Sequence, residues 1–156
     1  MIFVYSRFTK TKIFAEGLSD VLGMPFTELE CDLNERKDFN FMFKALRLTI
    51  SGKTYPVKNL PVDVPGEIWV CSPIWGGRLT APVKYFLQET KLTGVKVNIL
   101  LTANSVSERY RKNALKYLSE IDCIAGEVHI FQTSDKFLPE REIVAEHLRL
   151  MLENND

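Results

Sequence analysis

The sequence predicts an α/β fold, a three-layer sandwich in which a five-stranded parallel sheet in the order 2-1-3-4-5 carries helices on both faces. Three observations predict it. Runs of strand-forming apolar residues alternate along the chain with runs of helical period, so successive strands are joined by right-handed helical crossovers. The runs at residues 2–5 and 68–71 are apolar almost throughout, the pattern of strands covered on both faces. No stretch rich in Pro, Gly or Ser is long enough to be a linker, so residues 1–156 read as one domain, with 46% hydrophobic residues to fill its core.

The first strand, residues 2–5, runs into a polar loop made of Ser6, Arg7, Phe8, Thr9, Lys10 and Thr11. Phe14, Leu18, Val21 and Leu22 then mark the buried stripe of a helix that stops at Gly23, with Pro25 just beyond. Residues 26–31 alternate only loosely and read as an outer strand. Phe39, Met42, Phe43 and Leu46, at i, i+3, i+4 and i+7, predict an amphipathic helix within residues 38–48 whose apolar face is core. Pro56, Pro61 and Pro65, with Gly52, make residues 51–66 an extended surface connection.

The third strand, residues 68–71, is the central one and ends abruptly. Pro73 biases Ser72 away from the helical region, and Gly76 and Gly77 permit backbone shapes closed to other residues, which puts Trp75 on a tight loop past the strand. Thr80 is placed to cap the next helix, Pro82 suits its first turn, and Val83, Phe86 and Leu87 form its buried face. Gly94 introduces a fourth strand, residues 95–102. Beyond it Ser105 and Glu108 fit a capping box for a helix carrying Tyr110, Ala114, Tyr117, Leu118 and Ile121. Residues 128–131 supply the fifth strand, and Val144, Leu148, Met151 and Leu152 the last helix, after Pro139.

Charge narrows the functional classes. Lys plus Arg and Asp plus Glu both number 20, so no overall field draws in nucleic acid or an anionic membrane surface. The apolar start of the chain is too short for a signal peptide or a membrane span, and the expected compartment is the cytoplasm. Cys31, Cys71 and Cys123 match no disulfide framework or zinc spacing and read as buried small hydrophobes. His129 and His147 are far from them, so no metal site is expected.

In the 2-1-3-4-5 order the loops after strands one, three and four meet at the switch point of the sheet, where ligands of open α/β sheets bind. The first loop offers hydroxyls at Ser6, Thr9 and Thr11, amides at a helix start, and the charges of Arg7 and Lys10, which suits a phosphate. Hydroxyls at a helix start are also what ordinary capping requires. The second loop, Pro73, Ile74, Trp75, Gly76 and Gly77, offers an indole on which a flat ring could lie; the same indole could simply close the end of the core.

On these motifs the chain resembles the flavodoxin family over most of its length. The stretch from Ser72 to Gly77, with Pro82, Val83, Phe86 and Leu87, is similar to the family's Pro-[Ile/Val]-Trp-x-Gly…Pro-Val-x-x-Phe-Leu stretch almost position by position. The family's phosphate loop, Ser/Thr-x-Thr-Gly-x-Thr, is matched at Ser6 and Thr11, but Phe8 stands in place of a threonine and Thr9 in place of the glycine. The resemblance implies FMN as cofactor, with Ser6, Thr9, Lys10 and Thr11 at its phosphate, Trp75 over one face of the isoalloxazine and the backbone of residues 74–77 near the ring edge. Thr102, Ala103 and Asn104 lie where the family's third loop should be, without its glycines. No side chain is required as a catalytic acid or base, since the flavin carries the redox chemistry.

Three readings follow from that resemblance. The first is an electron carrier that works with a redox partner protein, although flavodoxins of that kind are usually acidic and this chain is neutral. A second is an NAD(P)H-dependent FMN or quinone reductase, in which Arg78 could meet a cofactor phosphate. The third is a flavin-free interaction protein on the same fold, favoured by Phe8 and Thr9. If Thr9 strains the loop, Thr9→Gly should strengthen FMN binding.

Overall fold

A computed structural model describes residues 1–35, 39–133 and 139–153. The sheet contains β1 (Ile2–Val4), β2 (Phe26–Glu28), β3 (Glu67–Trp75), β4 (Arg78–Leu79), β5 (Lys96–Ala103) and β6 (Ile124–Gln132). The helices are α1 (Thr9–Leu22), α2 (Asp32–Glu35), α3 (Phe39–Ile50), α4 (Ala81–Glu89), α5 (Glu108–Ser119) and α6 (Arg141–Glu153). Five strands run parallel in the order β2-β1-β3-β5-β6, and β4 pairs antiparallel with the end of β3. With β4 set aside as a local hairpin, this is the order expected from the sequence.

Alternation along the strands divides the core into two layers. Phe3, Tyr5, Ile68, Val70 and Ile99 face a layer with Val83, Phe86 and Leu87 of α4 and Ala114 and Leu118 of α5. Ile2, Val4, Trp69, Cys71 and Leu100 face Phe14, Ala15 and Leu18 of α1 and Val144 and Leu148 of α6. A side chain at Gly17 would stand 2.9 Å from Val144 Cγ1, so α1 and α6 approach as closely as they do only because that residue is glycine. Outer strand β2 is protected at its free edge by Asn59, whose amide donates to the Glu28 carbonyl at 2.7 Å while its carbonyl accepts from the Glu30 amide at 2.8 Å.

Several local expectations are corrected. The second strand stops at Glu28, with one further bond from the Leu29 amide to the Val4 carbonyl. The fifth begins earlier than its apolar run, at Ile124, and Asn98 interrupts its register with β5. The short helix α2 had no periodic signal. In α3, Ala45 and Thr49 are buried whereas Phe43 is 59% exposed, so the apolar stripe is not simply the core face; the side chains of Phe39 and Met42 lie outside the described residues. Cys31 and Cys71 are buried as expected, but Cys123 is only half-buried, and none of the three forms a disulfide among the described residues. The segment between α3 and β3 has no regular element, as its prolines require.

Two caps also differ. Thr80 makes no side-chain cap; the hydroxyl of Thr49, reaching over from α3, accepts from the Ala81 amide at 3.2 Å instead. The cap of α5 is Ser107, which accepts from the Arg109 amide, rather than Ser105 in a capping box. Among the described residues no helix is long and apolar enough to cross a membrane.

Candidate functional site

The carboxyl ends of β1, β3 and β5 surround a cavity of about 760 Å³, within the range of small-molecule sites. On one side stands the N-terminus of α1. Its cap residue, Phe8, is extended (φ −119°, ψ 143°), and neither a side-chain cap nor an acidic residue in the first turn neutralises the positive end of the helix. Arg7, Phe8, Lys10 and Thr11 line the cavity there, with the Arg7 guanidinium 5.9 Å from the Phe8 ring centroid.

The opposite wall is the end of β3. Trp75 is not on a loop, as expected from Pro73 and the glycines, but is the last residue of the strand, paired with Arg78 across a two-residue turn. Gly76 and Gly77 make that turn at φ +57° and +76°, both in the left-handed region that hairpin turns of this length demand. A Cβ on Gly76 would also lie 2.7 Å from Ile50 Cγ1, so α3 packs directly on the turn. The turn is held from the other side by Asn113, whose amide donates to the Gly77 carbonyl at 2.9 Å. Half-buried Trp75 meets the edge of the Tyr5 ring at 5.9 Å and 76°. Burial pushes the Tyr5 hydroxyl well above the ordinary phenol range, and among the described residues it has no hydrogen-bond partner of ordinary geometry; Tyr5 therefore serves as a neutral backing for the indole.

Thr102, Ala103 and Asn104 complete the floor and rim. Thus the three loops meet as the sheet order requires, and Pro73, Ile74, Trp75, Gly76 and Gly77 all line the cavity. Two first-loop residues do not. The Ser6 hydroxyl turns back to donate to the Phe8 carbonyl, and Thr9 is exposed at the first helical position, outside the cavity wall. Thr11 does line it, but its hydroxyl is buried against that of Thr102 at 2.8 Å. The hydroxyls that looked like phosphate donors are thus largely engaged by the protein itself.

Ser105, Arg109, Tyr110 and Thr133 also line the cavity and were not expected there. Tyr110 keeps the helical period of α5 and packs against the edge of the core, and it also stands by the turn, where a Cβ on Gly77 would lie 3.4 Å from its Cε1. Thr133 follows the end of β6, where its amide donates to the Ala103 carbonyl at 2.7 Å. The signal available for it was its position just past a strand end on the same sheet edge.

Strand order, flanking helices and a cavity over the β1/β3 edge define a flavodoxin-like fold. No family model matches the chain, and no curated protein matches it in sequence. Solved structures do. A protein from Bacteroides uniformis ATCC 8492, provisionally classed as a flavoprotein, superposes with a TM-score of 0.76 at 16% identity, over 96% of each chain. A flavoprotein from Lactobacillus acidophilus NCFM in complex with FMN superposes with a TM-score of 0.65 at 19% identity, over 83% of this chain and 90% of that one. A flavodoxin from the domain Archaea gives a TM-score of 0.50 at 15% identity, over 97% of each chain. At these identities the likeness is one of fold.

Proposed function

We propose that the chain binds FMN in the cavity between α1 and the β3–β4 hairpin and acts as a flavodoxin-like redox protein. The observation that carries this reading is the meeting of an uncapped helix N-terminus with a half-buried indole across one cavity of about 760 Å³. The backbone of the first turn of α1, with Arg7 and Lys10, would hold the phosphate; Trp75 would cover a face of the ring, and the backbone of residues 74–77 would lie at its edge. Hydroxyl donors matter less here than in the family's phosphate loop, because that of Ser6 donates to the Phe8 carbonyl and that of Thr11 is buried against Thr102. Bound there, FMN would supply one- or two-electron transfer.

What the chain's own residues contribute is orientation and environment. Tyr5 keeps Trp75 in place, Asn113 and Ile50 fix the glycine turn, and Tyr110 closes the side facing α5. No acid–base pair is needed among them. Electrons would leave to a redox partner protein.

The same engaged hydroxyls favour a second reading, a flavin-free interaction protein. Titration with FMN and with riboflavin separates the two: FMN-specific quenching of flavin fluorescence supports the first reading, and no binding of either flavin supports the second.

A further inference from the structure

A smaller cavity, about 230 Å³, shares Arg109 with the first. Arg78, Lys84, Arg109 and Lys116 bring four positive side chains to its wall, and Glu120 a single negative one. Lys116 reaches Glu120 only at 3.9 Å, and among the described residues Arg78, Lys84 and Arg109 form no salt bridge.

Lys84 is the telling member of the group. It is only 6% exposed, yet among the described residues its ammonium has a single hydrogen bond, to the Thr49 carbonyl at 3.5 Å, and lies 5.9 Å from the Tyr117 ring centroid. Burying a cation without a counter-charge is costly. Burial, and then the nearby Arg78, draw its proton affinity down from the ordinary lysine range. The neutral polar groups around it are already used: Asn113 donates to Gly77, and the Tyr117 hydroxyl donates to the Lys84 carbonyl at 3.2 Å. What remains unmatched in the cavity is positive charge.

We propose that this cavity is a phosphoryl-group subsite, in which Arg78, Lys84, Arg109 and Lys116 take the phosphate of a second small-molecule ligand. Its size suits one or two phosphoryl groups rather than a whole nucleotide. That the rest of the ligand reaches past Arg109 toward Trp75 rests on the flavin reading above; the phosphoryl site itself does not. Guanidinium forks and a desolvated ammonium are the donors such a group takes.

The test is a titration of the full chain with sodium pyrophosphate, followed by calorimetry and by amide shifts at Asn113 and Tyr117. Saturable binding is expected, weakened about tenfold by Arg78→Gln and by Lys84→Met. Arg78 is exposed, so its variant stays informative even if the Lys84 variant folds poorly. No saturable binding at millimolar pyrophosphate, or binding that Arg78→Gln leaves unchanged, overturns the site. Competition by NADPH but not NADH would identify the source as a nucleotide ribose phosphate, and competition by neither a free phosphate; both uphold the phosphoryl site. Riboflavin titration of the same preparation reports on the larger cavity alone, so failure of the flavin reading is told apart from failure of this one.

Discussion

Thr11 Oγ1 lies 2.8 Å from Thr102 Oγ1, joining residues 91 positions apart. Both side chains are buried, and the bond ties the first turn of α1 to the end of β5 at the floor of the large cavity. Replacing Thr11 with Val keeps the shape but leaves the Thr102 hydroxyl unpaired, at a cost of about 1–3 kcal/mol in urea unfolding. The double Val variant should recover much of that loss, because removing both partners is far less costly than removing one. If Thr11 served the cofactor instead, the double variant would stay stable yet lose its preference for FMN over riboflavin.

The reading of Thr9 changes for a related reason. No non-glycine residue among the described ones has a positive φ, so Thr9, the first residue of α1, does not use glycine's conformational freedom. Thr9→Gly should therefore bring no gain in FMN affinity. A clear tightening would show that the loop is strained after all.

Gly76→Ala should be severe. The added methyl meets Ile50 at 2.7 Å and the residue sits at φ +57°, which together cost roughly 2–4 kcal/mol. Thermal unfolding would read this loss, and riboflavin binding should fall with it because Trp75 adjoins the displaced turn. An unchanged melting temperature would mean that the turn relaxes without strain.

Asn98 organises the opposite end of the sheet. Its carbonyl accepts from the Glu127 amide at 2.9 Å where the β5–β6 register shifts, and its amide donates to Glu67 Oε1 at 2.7 Å. That hydrogen bond, and after it Lys96, hold the Glu67 carboxyl below its usual range. A depressed folded-state value adds stability above the unfolded value of about 4.3 and loses it as pH falls through the lower folded value. Asn98→Ala should cost roughly 1–3 kcal/mol at neutral pH. It should also flatten the acid limb of stability against pH; an acid limb of unaltered steepness would remove Glu67 from the account.

Much of this was legible in the sequence because it depends on local composition. Apolar runs such as residues 68–71 announce strands covered on both faces, and the glycines and Pro73 announce a turn beside Trp75. What was not legible depends on partners far along the chain. Ser6 and Thr11 look like available donors until Phe8 and Thr102 are seen to occupy them. Trp75 reads as a loop residue because its strand is extended by a hairpin, which α3 and Asn113 hold from outside. Thr49 capping α4 could not be foreseen, since Thr80 is the natural local candidate. Arg109 and Tyr110 were hidden in a helical pattern, although the first turn of that helix comes to the cavity with the loop before it.

The most direct test of the central claim is a fluorescence titration of the purified chain with FMN and, in parallel, with riboflavin, repeated on Trp75→Ala. The account predicts quenching of both flavins, tighter binding of FMN than of riboflavin through the α1 N-terminus, and a loss for both flavins in Trp75→Ala. Binding of neither flavin, or equal affinity for the two with no effect of Trp75→Ala, would contradict it.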